Sequence, residues 1–396
     1  MSDSSNYSNM SDLDDIEDIE LVMQLNKGES SRRSCKAINR ERDVAEARLL
    51  ADYFGPSPKY PDYYFRRRYR MNRSLFLEIV QGIEKYIETH YPLPAHFDFF
   101  VVRPDCTGLM GFSVIMKCTS VIRQLAYGTS PDALDEYLQM GEHCARDCLD
   151  YFNMCIIDLF TPEFLRKPDV NDVRKLYDAH NRIHGLPGML GSIDCMHWEW
   201  INCPKAWHGQ FGRGANNNLT VLNHSLLFDD LLDDIAPVVP FEVNEVTFEK
   251  GYYLADGICP QWAAFVKSFT VARDERNAVF KCRQESARKD VERAFGVLQG
   301  RWHIIAQPAR AWTVNKLRRI MYTCIILHNM ILKNQKFALY DLGDTYICPR
   351  VNLARTWIER CEVQRKQAKE LRDKQTHAKL QRNLIEHVWQ QHLLNN

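Results

Sequence analysis

The chain has 396 residues, of which 45% are hydrophobic and 26% are charged, as expected for a soluble globular protein of about two or three domains. Its 51 basic and 51 acidic residues cancel, which excludes an overall basic field as the basis of nucleic-acid binding. No apolar run approaches the roughly 18 residues of a membrane helix, and the acidic, polar start of the chain lacks the features of a secretory signal.

The first part of the chain is predicted to be an acidic disordered tail at 1–30 followed by a helical domain at 31–175. A helix over 36–55 is predicted to end at Gly55, and another begins at Pro61 and continues to residue 87. Further on, a helix over 113–128, a break and a second helix from Ser130 form the outline of a helix-turn-helix unit. Many helical bundles share this outline, so DNA reading by this unit is one interpretation and an ordinary helical bundle is the alternative.

Five arginines lie at the front of the helix that begins at Pro61. They are Arg66, Arg67, Arg68, Arg70 and Arg73. Such a run is usually a solvated helix face. The functional alternative is a surface that contacts DNA phosphates, aided by the interleaved Phe65 and Tyr69.

The pattern changes to alternating strands and helices from about residue 176, which predicts an α/β domain at 176–340. Strands are predicted before Asp194 and Asp256. A helix is predicted over 286–302, and a strongly apolar core helix over 311–332. In the last segment, 341–396, residues 355–394 lack Gly and Pro and are rich in good helix formers. We therefore predict one long, mostly exposed helix, with Leu371, Leu380, Leu384, Ile385 and Trp389 available for docking.

Three carboxylates stand out in the α/β domain. Asp194 follows an apolar strand, Asp256 ends another strand before Gly257, and Glu292 lies on a helix one turn after Arg288. Two strand-end aspartates and a helix glutamate that converge are what two-metal phosphodiester chemistry needs, since Mg²⁺ and Mn²⁺ prefer carboxylate oxygens. The alternative is that all three are ordinary surface or capping acids. Asp290 is a rival for Glu292 on a different helical face.

The remaining chemistry-bearing residues give weaker signals. The 13 cysteines show no Cys-x-x-Cys spacing, which favours buried free thiols in a reducing compartment over a zinc site. His197 is a candidate for supporting a metal-bound carboxylate, with a plain polar strand-end residue as the alternative. His328 in the apolar helix is interpreted as a satisfied core histidine. No phosphate-binding loop or nucleophile elbow is found.

Four blocks of the chain carry a resemblance to a known family: GSIDCMHWEWINCPKAWHGQF, GYYLADGICPQWAAFVKS, ARKDVERAFGVLQGRWHII and IMYTCIILHNMI. They resemble the plant transposon protein family, which is the plant branch of Harbinger-type transposases and their domesticated nuclease-like relatives. The segments FRRRYRMNRSLFLEIV and LIEHVWQQH resemble the same family outside the core, so the resemblance extends over most of the chain after residue 30.

The resemblance implies an RNase H-like core whose mixed sheet carries a DDE triad at Asp194, Asp256 and Glu292. It implies hydrolysis or strand transfer of DNA phosphodiester bonds with Mg²⁺ or Mn²⁺ held by the same three residues. It also implies a helical DNA-contacting region before the core and a Myb-like or chromatin-associated protein partner. The implied location is the nucleus, with the cytoplasm as the alternative when the partner is missing. No membrane association is implied.

One departure from the family pattern concerns the sheet. Relatives carry about thirty more residues between the Gly-Gln-Phe and Val-Leu-Asn blocks, and the aspartate of that insert's turn falls here on Asn218. The core is therefore expected to lack about two strands, which leaves the strand before Asp194 with an unpaired edge. Either the chain is a decayed or mis-spliced copy, which we favour, or it tolerates a smaller sheet. We accordingly expect a nuclease that is weak or inactive, with a non-catalytic nuclear protein that binds DNA or a chromatin partner as the alternative.

Overall fold

A computed structural model of the chain describes residues 38–105, 108–211, 228–257, 259–335 and 356–395, together with residues 221, 222 and 225. The acidic tail predicted at 1–30 and Asn218 lie outside the described residues. Within the described part, no helix is long and apolar enough to cross a membrane.

The described helices are α1 (Arg42–Leu49, continued by a π-helical turn at Leu50–Phe54), α2 (Asp62–Tyr69), α3 (Arg73–Thr89), α4 (Ala95–Asp98), α5 (Val114–Tyr127), α6 (Asp135–Leu138), α7 (Glu142–Phe164), α8 (Val170–His184), α9 (His208–Phe211), α10 (Asp229–Leu232), α11 (Glu275–Arg301), α12 (Val314–Asn334), α13 (Trp357–Leu371) and α14 (Lys374–Asn395). The strands are β1 (Met189–Ser192), β2 (Phe241–Val243), β3 (Val246–Phe248), β4 (Tyr252–Ala255) and β5 (Phe265–Lys267). Short 3-10 helices occur at Pro131–Leu134, Lys205–Trp207 and His303–Ile305.

The helical region has one large core, with α7 packed between α5 and α12. Phe76, Phe152 and Leu327 are fully buried in it, although Leu327 comes from α12, which follows the sheet in sequence. The apolar helix predicted over 311–332 is thus confirmed as a core helix, and it completes the core of the helical region. The domain boundaries themselves stay a prediction.

Two of the predicted helices in this region are interrupted. The helix expected over 60–87 is divided at Arg70, whose φ of 62° ends α2 before α3 begins. The segment after Ser130 is divided at Gln139, whose φ of 52° closes α6. Left-handed conformations at residues other than Gly are uncommon and carry little sequence signature, so periodicity alone did not reveal these breaks.

The sheet that positions the candidate site has three strands in the order β1–β4–β5, and both pairs are parallel. The hairpin of β2 and β3 forms a separate two-stranded sheet. Among the described residues, β1 pairs only with β4 and is therefore an edge strand. A helical region followed by a small α/β arrangement agrees with the predicted fold class, while its identification as an RNase H-like core stays a prediction.

The C-terminal segment differs from the single exposed helix that the sequence predicts. It forms two helices, because Asp373 accepts hydrogen bonds from the backbone N–H groups of Gln375 and Thr376 and so starts α14 afresh. Helix α14 packs on α11 and β5, and its Leu384 is fully buried. His377 Nδ1 lies 2.8 Å from the carbonyl oxygen of Phe265. The prediction of one mostly exposed helix is wrong for α14, which packs against the sheet. The prediction that Leu380 and Leu384 are available for docking is confirmed, since both are buried.

Candidate functional site

The two predicted aspartates follow neighbouring parallel strands at matched positions. Ser192 of β1 is in register with Leu254 of β4, and the N–H of Ile193 donates to the carbonyl of Leu254 over 2.9 Å. Asp194 and Asp256 each come two residues after this registered pair. The carboxyl ends of parallel strands meet at one edge of a sheet, so the structure brings both residues to the same edge.

Each aspartate is partly buried and interacts with the chain that leaves its strand. Asp194 Oδ1 accepts a hydrogen bond of 2.8 Å from the N–H of Cys195, and Asp256 Oδ1 accepts one of 2.5 Å from the N–H of Gly257. These contacts are local to the strand ends and do not by themselves hold the two carboxylates relative to each other.

Helix α11 is fastened across the sheet by polar contacts. The side-chain amide of Gln284, which is fully buried, donates to the carbonyl oxygens of Ala255 in β4 and Val266 in β5 over 3.4 and 3.2 Å. Ser192 Oγ donates to the carbonyl of Ala287 over 3.4 Å. Arg288 follows Ala287 directly, so these contacts place Arg288 near the end of β1, where Asp194 lies.

Arg288 links the helix glutamate to the first aspartate. Its guanidinium lies 3.6 Å from Asp194 Oδ2 and 2.7 Å from Glu292 Oε1. Side-chain exposure is 19% for Arg288, 21% for Asp194 and 45% for Glu292, so the contact with Asp194 is the more buried of the two ion pairs. The structure therefore brings Glu292 towards Asp194 through a shared cation.

The rival acid, Asp290, has different partners. Its carboxylate lies 2.8 Å from His184 Nε2 at the end of α8 and also pairs with Arg293. Asp290 thus faces α8, whereas Glu292 faces Arg288. This arrangement favours Glu292 as the third member of the acidic site, and the assignment of the triad stays a prediction.

The three carboxylates do not form a ligand set as they are placed. Their oxygens are the donors that Mg²⁺ and Mn²⁺ prefer, but among the described residues no three His, Cys, Asp or Glu side chains lie close enough together to hold a metal ion. Glu292 is instead engaged by Arg288. The donor chemistry fits a hard divalent cation, and binding of Mg²⁺ or Mn²⁺ here stays a prediction.

Two thiols lie beside the aspartates. Burial raises the pKa of Cys195, and the charge of Asp194 raises it further. Burial likewise raises the pKa of Cys259, followed by the effect of Asp256. Both shifts favour the neutral thiol over the thiolate.

Sequence reasoning missed the role of Arg288. The spacing of Arg288 and Glu292 is the i,i+4 signal of a helical ion pair, but the contact with Asp194 joins segments that are far apart in the sequence. His197, the predicted support of a metal-bound carboxylate, is exposed. His328 lies 3.1 Å from Arg301, and burial together with that positive charge lowers its pKa to about 4, as expected for a core histidine.

The structure divides the predicted arginine surface into two groups. Arg66 and Arg67 are exposed on α2. Arg68 donates to the hydroxyl of Tyr53 and lies 4.2 Å from the ring centroid of Tyr60. Arg73 pairs with Asp62 over 2.9 Å, and Arg70 lies 5.6 Å from the ring centroid of Tyr127. Arg66 and Arg67 therefore remain the best placed for a phosphate contact.

The interleaved aromatic residues do not belong to that surface. Phe65 and Tyr69 are both fully buried, and their rings stack at 4.1 Å between centroids. They lie one turn apart on the core face of α2, because residues four apart in a helix share a face. The expectation that they assist DNA contact is wrong.

Comparison with known proteins shows that part of the chain is similar to one family. The sequence model of the family described as plant transposon protein matches residues 162–217 and 212–338, which is less than half of the chain. A model of a domain of unknown function matches residues 46–84. No curated protein and no solved structure matches the chain. Over residues 162–338, which contain all three acids, the chain is thus similar to plant transposon proteins, and this supports a transposon-derived family.

Proposed function

We propose that this chain is a transposase-derived protein of the Harbinger type that keeps the acids of a DNA nuclease but cleaves DNA weakly or not at all in the form printed here. The ancestral reaction is hydrolysis or strand transfer of DNA phosphodiester bonds with Mg²⁺ or Mn²⁺. Asp194, Asp256 and Glu292 are the residues assigned to it.

The placement of the two aspartates carries this proposal. Asp194 and Asp256 stand at matched positions after two neighbouring parallel strands, and Arg288 draws Glu292 to the same edge of the sheet. All three also fall within the part of the chain that is similar to plant transposon proteins.

Two observations support the loss of activity. β1, which leads to Asp194, has a partner strand on one side only among the described residues. The family match also comes in two pieces that overlap at residues 212–217, where the sequence is expected to lack an insert. A carboxylate on a weakly supported strand is poorly held, and a displacement of about 1 Å costs on the order of a hundredfold in rate.

The test is a gain of function. We expect a variant with a family-like insert of about thirty residues after Phe211 to be more stable and to nick supercoiled plasmid in Mn²⁺. The uninterrupted chain and an Asp256→Asn version of each protein are the matched controls. If the insert restores stability without any nicking that depends on Asp256, the assignment of the acids to nuclease chemistry is wrong.

A second candidate function is non-catalytic binding of DNA or a chromatin partner in the nucleus. The engagement of Glu292 and Asp194 by Arg288 favours it, because a protein that only binds DNA can keep its acids neutralised. Arg66 and Arg67 on α2 would supply the phosphate contacts, and a Myb-like protein is the proposed partner for sequence recognition. Under this function, Asp256→Asn leaves DNA binding unchanged in a gel-shift titration, and a clear loss of binding would contradict it.

A further inference from the structure

Arg288 places a positive charge next to two of the three predicted catalytic acids. The guanidinium touches Asp194, which comes from the sheet, and Glu292, which comes from its own helix. The ion pair between Arg288 and Glu292 would be enough to stabilise α11, because oppositely charged residues four apart in a helix pair with each other. The additional contact with Asp194 joins the helix to the strand end and places a permanent positive charge among the acids.

The surrounding contacts hold Arg288 in place. Gln284 ties α11 to β4 and β5, and the Ser192 hydroxyl ties it to β1 at Ala287. Arg288 is itself 19% exposed, so its guanidinium has limited freedom to leave the acids for solvent. Arginine also keeps its charge at every physiological pH. The acids therefore face a fixed internal cation.

We propose that Arg288 acts as an internal cation that holds Asp194 and Glu292 together without metal and competes with divalent ions for both carboxylates. This inference rests on the proposed function for the identity of the acids. A divalent ion that takes oxygens from both residues must first displace the guanidinium. The carboxylates then lose their ion pairs with Arg288 as they bind the metal ion. Arg288 therefore lowers the affinity of the site for Mn²⁺ and favours the metal-free protein.

The test measures Mn²⁺ binding rather than cleavage. The full chain and its Arg288→Gln variant are titrated with MnCl₂, and free Mn²⁺ is followed by its electron paramagnetic resonance signal. Because one partly exposed ion pair to each acid is removed, we expect Arg288→Gln to bind Mn²⁺ roughly tenfold more tightly. Arg288→Lys keeps the charge and is expected to stay within about threefold of the native chain.

Two controls assign the effect to the acids. Arg293→Gln removes another arginine of α11 that pairs with Asp290 and is 62% exposed, and it is expected to leave Mn²⁺ affinity unchanged. Adding Asp194→Asn to Arg288→Gln is expected to abolish the gain. Circular dichroism confirms that each variant is folded before titration.

Equal or weaker Mn²⁺ binding by folded Arg288→Gln would overturn the proposal, and so would the absence of binding in every variant. These outcomes are distinct from failure of the proposed function. If Arg288→Gln binds Mn²⁺ more tightly but the chain never nicks DNA, even with the insert, the role of Arg288 as an internal cation is supported and the nuclease assignment is wrong.

Discussion

Removing the buried side chain of Leu384 tests whether α14 is part of the core of the α/β region. Leu384 is fully buried and belongs to a cluster with Phe280 of α11 and Leu254 of β4. Transfer of the lost methylene groups to water costs about 2 kcal/mol, and the cavity left between a helix and the sheet adds to this. We therefore expect Leu384→Ala to lower the free energy of unfolding by about 3 kcal/mol.

The assay is urea unfolding of the full chain, followed by circular dichroism and tryptophan fluorescence. Leu393→Ala is the matched control, because the same change is made in the same helix at a side chain that is 58% exposed. We expect that control to stay within about 0.5 kcal/mol of the native chain. Similar small losses for both variants would refute the docking of α14 and restore the exposed helix that the sequence predicts.

Two further predictions concern the arginine surface and pH. Replacing Arg66 and Arg67 by Gln should weaken non-specific DNA binding and reduce the slope of log affinity against log salt by about two. The control, Arg68→Gln, should mainly lower stability. An unchanged slope in a filter-binding series would assign the exposed pair to solvent or to a protein partner. His328 has a pKa of about 4 in the folded chain, below its ordinary value, so protons favour the unfolded state and stability should fall as pH drops from about 6.5 to about 4. In urea titrations across that pH range, the stability of His328→Asn should fall less than that of the native chain. Identical pH profiles for the two proteins would contradict the lowered pKa of His328.

The sequence predicted the position of a residue correctly where that position depends on a single strand or on one face of a helix. Asp194 and Asp256 each follow a short apolar strand, and their placement at strand ends needs only local pattern. A shortened segment in one block of the chain likewise predicts a free edge on β1, and among the described residues β1 pairs with β4 alone. Parallel pairing of strands that are some sixty residues apart then brings the two acids to one edge.

The sequence was uninformative where a contact joins distant segments. Leu380, Leu384 and Val388 have the same spacing in an exposed helix and in a docked one, so their burial depends on where β5 and α11 lie. Arg68 and Arg66 are adjacent members of one charged run, and only the positions of Tyr53 and Tyr60 separate the structural arginine from the exposed one. Periodicity reports which residues share a face, not what that face meets.

The chain keeps the acids of a nuclease, and we propose that its site does not work. The decisive measurement is the rate at which the purified native chain nicks supercoiled plasmid in Mn²⁺ beside its Asp256→Asn variant. We expect the two rates to be equal within error and close to the rate without protein, because β1 pairs on one side only among the described residues and Arg288 engages Asp194 and Glu292. Robust nicking that Asp256→Asn abolishes would refute the proposed loss of activity and identify the chain as a compact, working nuclease.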